Sequence, residues 1–365
     1  MELYNHTNPL FTKWVVSAGL LREPFIVVDI GCQGGEHPRW QYLGDCVEFH
    51  GFDPISESIE DQRQAAIGQN KRTFHHLALG NENGKRTFFV KPDQFSSSFY
   101  GSGVGSKSRE VEMRRLDTLF AEGMIPRADY IKLDCEGFEP EVLKGAQQYL
   151  AASNPVCVTS EANFFVSPIY PSTHFQAINE LLVQHRLLVF DLNYARTPRA
   201  AYAESLARRP WAERDLLRDQ PQLVIGQPTT FDVLFCRDFV AELRHLGDFQ
   251  NTGATVEPPS TDTIIKAMIN FELHGLMDCA VELAYSFRAL LQDRLNLDIA
   301  IEHLLAPPQH PRDMADVRLC LIMIRKLREE LNQRRTHSIV VPRRLRRLVR
   351  SIIGERATRW LVARL

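Results

Sequence analysis

Seven short apolar runs, separated for the most part by helical stretches, leave this chain few ways to fold. The first, Phe25-Ile-Val-Val-Asp-Ile30, is apolar along nearly its whole length and ends at Asp29 and Gly31. A run without polar alternation reads as a strand covered on both faces, which is the pattern of a parallel sheet. Residues 47–52, which end at Asp53-Pro54, repeat it, as do 73–79, 130–134, 156–160, 187–191 and 231–236. Helical periodicity lies between most of them, at 140–150 and 175–185 for example. Strand–helix alternation on this scale predicts an α/β fold built on a doubly wound, Rossmann-like sheet. Residues 85–90 add a hairpin strand, and 194–225 read as an insertion between the last two strands.

The chain has 365 residues, 44% of them hydrophobic and 24% charged, so it can bury a sizeable core and is not a disordered polymer. The α/β pattern is assigned to residues 1–247. Residues 248–263, with Gly253 and the pair Pro258-Pro259, read as a linker. A helical extension is expected over 264–335. Its first helix carries Ile264, Ile265, Met268, Ile269 and Leu273, with Thr261 or Thr263 as the cap. The last segment, 336–365, is a basic amphipathic tail. From Arg334 to Leu365 there are ten Arg and one acid, Glu355. With a net charge of −2 for the whole chain, the remainder is acidic. An acidic body is a poor surface for phosphate backbones, so no nucleic-acid partner is expected. Leu345, Leu348, Val349, Ile352 and Trp360 fall on one helical face flanked by Arg343, Arg344, Arg346, Arg347 and Arg350. That pattern suits peripheral contact with an anionic membrane. The alternative is a helix docked on the acidic body or on a partner.

Seven cysteines without a CxxC pair exclude a zinc ribbon and a disulfide scaffold. They fit a reduced, cytoplasmic protein, peripheral at the inner membrane surface if the tail attaches there. No apolar run reaches the ~20 residues that span a bilayer, and the N-terminus lacks the pattern of a signal peptide.

Three segments carry chemistry. Asp29-Ile-Gly-Cys-Gln-Gly-Gly35 follows the first run, and its glycines let a ligand approach the main chain. Gln33 stands where a dinucleotide fingerprint has its second glycine. Asp53 ends the second run, where a carboxylate can accept hydrogen bonds from ribose hydroxyls. Together these describe a nucleoside-containing cofactor, either NAD or S-adenosyl-L-methionine. The third segment is Tyr130-Ile-Lys-Leu-Asp-Cys-Glu-Gly-Phe-Glu-Pro-Glu-Val-Leu-Lys-Gly-Ala146. Lys132 sits inside an apolar strand, where an unpaired cation is costly. Asp134 and Glu136 follow at the carboxyl end, where open α/β sheets place their ligand. Read plainly, the segment is a strand end whose acids cap the next helix, but that leaves Lys132 without a role. Ser96-Ser97-Ser98, followed by Gly101, Gly103 and Gly105, either covers an acceptor site or is a plain connection.

These residues resemble the FkbM-type S-adenosylmethionine-dependent methyltransferases. The family signature is similar to I-K-x-D-x-E-G-x-E-x-x-V-L-x-G-A. It is matched at Ile131, Lys132, Asp134, Glu136, Gly137, Glu139, Val142, Leu143, Gly145 and Ala146. Val28, Asp29, Gly31 and Gly35 fit the first motif, while Cys32 and Gln33 depart from it. Phe52-Asp53-Pro54, Ala78-Leu79-Gly80, Leu116-Asp117-Thr118-Leu119 and Glu161 fit further positions. The resemblance covers residues 20–240. It implies a class I methyltransferase sheet of seven strands, the last antiparallel, and S-adenosyl-L-methionine rather than NAD. The implied acceptor is a hydroxyl of a sugar, glycan or related metabolite. On this reading Asp29, Gly31, Gln33, Gly35, Asp53, Pro54, Leu79 and Asp134 hold the cofactor, and Glu136, Asp134, Lys132 and Glu161 serve catalysis; no metal is assigned. An NAD-dependent sugar oxidoreductase and a non-catalytic binding module are the alternatives.

Overall fold

The computed structural model describes residues 8–92, 94, 96–101, 105–165, 174–197, 227–244 and 258–306. The chain divides into two compact units. Among the described residues, 23–242 fall in one, and 8–22 with 243–306 in the other.

The strands of the first unit are, in chain order, β1 (Phe25–Ile30), β2 (Val47–Asp53), β3 (Arg72–His76), β4 (Ala78–Leu79), β5 (Gly84–Val90), β6 (Lys107–Arg114), β7 (Tyr130–Leu133), β8 (Cys157–Asn163), β9 (Leu187–Thr197) and β10 (Gln227–Arg237). Seven of them form one sheet in the order β3-β2-β1-β7-β8-β10-β9. The pairs from β3 through β8 are parallel, and β10 runs antiparallel to both β8 and β9. The order reverses at β1, which lies between β2 and β7. Open α/β sheets place their ligand crevice at the carboxyl side of such a switch. The central strands are apolar because both faces are covered: Val28, Ile30, Leu133, Val158 and Val233 are at most 2% exposed.

The structure divides the expected third run. Its first part is β3, at the sheet edge, while Ala78-Leu79 leaves to pair with β6 in a separate three-stranded sheet, β4-β6-β5. β6 escapes sequence reading because Lys107-Ser-Arg-Glu110 is charged, polar and exposed; only Val111 and Met113 turn inward. The expected helix over 140–150 is two, α4 (Glu139–Lys144) and α5 (Gln147–Ser153), if α1 (Leu10–Ser17), α2 (Ser56–Ala65) and α3 (Leu116–Ala121) are counted before them. They part at Gly145, where a Cβ would lie 1.9 Å from the Gly80 carbonyl oxygen. α6 (Phe175–Val183) packs between α4 and β9.

The second unit contains helices Thr261–Leu273, Met277–Ser286, Arg288–Leu291 and Leu297–Leu304. Ser260, not Thr261 or Thr263, caps the first, its Oγ accepting from the Thr263 N–H at 3.1 Å. α1 also belongs here, rather than with the segment 1–247. The buried Glu272 carboxylate accepts from the Phe11 N–H, the Thr12 N–H and the Thr12 hydroxyl at 2.7–2.8 Å. These are N–H groups that the first turn of a helix leaves without partners, and Pro9 ahead of them offers no side-chain cap. Burial pushes Glu272 up to about 7. Most of the expected linker, residues 307–335 of the expected extension and the basic tail lie outside the described residues.

Candidate active site

A cavity of about 420 Å³ opens at the carboxyl ends of β1, β2, β7 and β8, and every site residue singled out from the sequence lines it. Its lining includes Asp29, which is 2% exposed on β1 and in register with Lys132 on β7. The Lys132 ammonium lies 3.3 Å from Asp29 Oδ1, from the Gly31 carbonyl oxygen and from Asp134 Oδ2. That answers the question Lys132 poses as a cation in an apolar strand. Burial opposes its charge, but Asp29 and Asp134 outweigh it and hold Lys132 well above its ordinary range. Burial pushes Asp29 the other way, up to about 6, with Lys132 restraining the rise. Both groups are therefore charged at neutral pH.

Gly31 has φ +84°, and a Cβ there would lie 1.8 Å from the Asp134 carbonyl oxygen. No residue with a side chain can occupy that position while β1 and β7 keep their present approach. Gln33 is held by two distant glutamines: its carbonyl accepts from Gln62 Nε2 at 3.1 Å and its amide reaches Gln94 Oε1 at 3.4 Å. Gly35 lies under Gln62. Asp53 is 4% exposed, and its Oδ1 accepts from the Ile55 N–H at 2.7 Å, which shapes the turn out of β2. Burial raises it to about 6. The Pro54 carbonyl oxygen is 3.1 Å from His76 Nε2, and Leu79 is buried against the hydrophobic core.

Where β7 and β8 end, the lining is acidic. After β7 the chain turns through Glu136 at φ +52° and Gly137 at φ +99°. Glu139, fully buried, fixes that turn: its Oε1 accepts from the Cys135 N–H at 2.8 Å and the Gly137 N–H at 3.2 Å. The signature's last acid is therefore part of the frame, and the earlier acids face the cavity. Carboxylate oxygens of Asp134, Glu136 and Glu161 lie within 4.8 Å of one another, close enough to repel when charged or to face one cation. Burial, then the neighbouring charges of Asp134, Glu139, Glu136 and Asp232, push Glu161 up to about 9. Glu161 thus carries its proton at neutral pH and is not a resting base, a distinction the sequence did not draw among the three acids.

Asp232, which sequence reading missed, lines the cavity from β10, directly opposite Glu161 in the β8–β10 register. Its only signal is an acid inside an apolar run. Tyr130 and Thr159, whose hydroxyls are 2.9 Å apart, also line the cavity and were not singled out. His75 does not reach the site; it stacks on Phe52 at 4.4 Å and on His50 at 5.7 Å.

The strand order, the antiparallel β10 and a cavity at the carboxyl ends beside the switch point define a class I methyltransferase fold. Residues 36–194 match the family model described as the methyltransferase FkbM domain. The match starts just past the glycine-bearing turn at 31–35. Among solved structures the chain is similar to the methyltransferase FkbM from Methylobacillus flagellatus KT, with 15% identity, a TM-score of 0.33 and coverage of 61% of this chain. It spans 47% of that protein's length. It is also similar to a precorrin-6y C5,15-methyltransferase from Geobacter metallireducens GS-15, with 10% identity, TM-score 0.30 and coverage of 64% and 94% of the two chains. A third is the plantazolicin methyltransferase BamL, in complex with a triazolic desmethylPZN analog and SAH, with 14% identity, TM-score 0.30 and coverage of 63% and 83%. No curated protein sequence matches.

Proposed function

We propose that the chain transfers a methyl group from S-adenosyl-L-methionine to a hydroxyl of a sugar, glycan or related metabolite. The observation that carries this reading is one cavity lined by a glycine turn, by buried Asp53 and by the acid cluster Asp134, Glu136 and Glu161. The residues fit the cofactor by their chemistry. A Cβ at Gly34 would meet nothing within 4 Å, so the turn is open toward a ligand. A buried carboxylate at the end of β2 suits a pair of ribose hydroxyls. Asp53, Pro54 and Leu79 would hold the nucleoside. Asp29, Gly31, Gln33, Gly35 and Asp134 would hold the amino-acid end. When bound, the cofactor supplies a methyl group already activated on a cationic sulfur.

The remaining work belongs to the protein. A hydroxyl is a weak nucleophile, and catalysis gains from aligning it and accepting its proton. Asp134 and Glu136 would accept the hydrogen bond of the acceptor hydroxyl. Glu161, protonated at neutral pH, donates a hydrogen bond and helps orient the acceptor. Lys132, 3.3 Å from both carboxylates, offsets the repulsion between Asp29 and Asp134. The missing GxGxxG disfavours an NAD-dependent oxidoreductase, and the retained acids disfavour a module without cofactor binding.

Calorimetry with S-adenosylhomocysteine and NAD, followed by transfer of labelled methyl from S-adenosylmethionine to a panel of free sugars and methyl glycosides, tests the proposal. Binding of S-adenosylhomocysteine with label on a sugar oxygen supports it. NAD binding without S-adenosylhomocysteine binding refutes it.

A further inference from the structure

The peptide group between Glu136 and Gly137 is held at both of its ends by a side chain with no exposed surface. Its N–H donates to Glu139 Oε1 at 3.2 Å. Its carbonyl oxygen accepts the Ser98 hydroxyl hydrogen at 2.7 Å. Glu139 and Ser98 are both 0% exposed. Glu136 is in the left-handed region at φ +52°, where a residue with a Cβ sits only if its surroundings hold it there.

Ser98 is well placed to do this because it is itself fixed. Its N–H donates to the Phe89 carbonyl at 3.1 Å and its carbonyl accepts from the Phe89 N–H at 3.0 Å, so it bridges to β5. Its hydroxyl oxygen also accepts from the Tyr100 N–H at 3.2 Å. Phe99 and Tyr100 pack on Phe138, two residues beyond Glu136, with ring centroids 4.5 and 5.7 Å away. Residues 97–100 are therefore a brace clamped to the aromatic cluster beside the acidic wall.

We propose that Ser98 is a positioning residue: through the Glu136–Gly137 peptide it sets the backbone of Glu136 and so keeps the Glu136 carboxylate beside Asp134 and Glu161. The Glu136 carbonyl is reached by a hydroxyl 38 residues earlier in the chain. Losing that donor removes a restraint on the peptide plane and costs the carbonyl its hydrogen bond from Ser98. The peptide then rotates, the left-handed conformation relaxes, and the carboxylate moves away from the acceptor wall. The consequence for methyl transfer rests on the proposed function; the geometric claim does not.

The sequence offers a clean readout, because Glu-Gly occurs only at Glu122-Gly123 and Glu136-Gly137. Full-length protein carrying carbonyl-labelled Glu and nitrogen-labelled Gly gives one amide–carbonyl signal for each, and the first is an internal control. In Ser98→Ala the Glu136–Gly137 signal should shift while the Glu122–Gly123 signal stays. The side-chain carboxyl of Glu161, identified through Glu161→Gln, should titrate at lower pH than in the wild type, because one of the charges holding its proton has moved off. S-adenosylhomocysteine affinity should be unchanged. Should Ser98→Ala not fold, Ser98→Cys replaces a strong donor by a weak one at similar volume and makes the same comparison. An unmoved Glu136–Gly137 signal, or a moved signal with Glu161 titrating as in the wild type, overturns the proposal. Failure of the wild type to bind S-adenosylhomocysteine would refute the methyltransferase reading and leave this comparison standing.

Discussion

Glu161→Gln should make the protein more stable, and increasingly so as the pH rises. The folded state holds the Glu161 proton up to about pH 9, against an ordinary value of 4.5. Between those two values the folded chain binds more protons at this site than the unfolded chain, so stability falls as pH increases. Each pH unit costs about 1.4 kcal/mol, which gives under ~1 kcal/mol at pH 5, about 3 kcal/mol at pH 7 and up to about 6 kcal/mol above pH 9. Gln keeps the size and hydrogen-bonding capacity of the protonated acid and has no proton to lose. For a unit of this size, where 1 kcal/mol moves the midpoint by ~2–4 °C, the variant should melt about 6–12 °C above wild type at pH 7 and nearly with it at pH 5. Asp29 and Asp53, also pushed up to about 6, are common to both proteins and cancel in the difference. Circular dichroism melts of the full chain at pH 5, 7 and 8.5 measure it. A midpoint difference independent of pH, or a variant less stable than wild type at pH 8.5, would refute the assignment of a proton to Glu161.

Lys132→Met should destabilise the first unit by ~3–5 kcal/mol in urea titrations, because it leaves the buried Asp29 without its counter-charge; a change below ~1 kcal/mol would mean the pair is not the anchor described. Asp53→Asn keeps the oxygen that caps the turn but loses the negative charge, and should weaken S-adenosylhomocysteine binding by ~1–3 kcal/mol in calorimetry with little change in melting. Unaltered affinity would remove Asp53 from the nucleoside site. The basic tail is a proposal from sequence alone: a chain ending at Val341 should no longer sediment with anionic liposomes, while the full chain does so and releases with salt. Equal sedimentation of the two would favour docking of the tail on protein.

What could be read from the residues follows from what is local. The continuous apolar runs of β1, β2 and β7 announce strands buried on both faces, and the acids and glycines that end them announce the cavity edge. Lys132 stands out by the same logic, since a cation in such a run demands an explanation. Among the described residues no helix is long and apolar enough to cross a membrane, in keeping with the absence of a long apolar run.

Other features have no local trace. β6 begins with four exposed polar residues, and pairing with β5 and β4 makes it a strand. α1 looks like part of the α/β segment until Glu272, some 260 residues away in the chain, reaches back to its first turn. Asp232 becomes a neighbour of Glu161 through the register of two antiparallel strands, and Ser98 meets Glu136 through a bridge to β5. The sequence alone thus determined the central buried strands, the switch-point turn and the acids of the signature segment. The tertiary structure decided which of those acids carries a proton and which is frame. Ionisation and orientation depend on burial and on charges brought together across the chain, and neither is a property of a residue's neighbours in sequence.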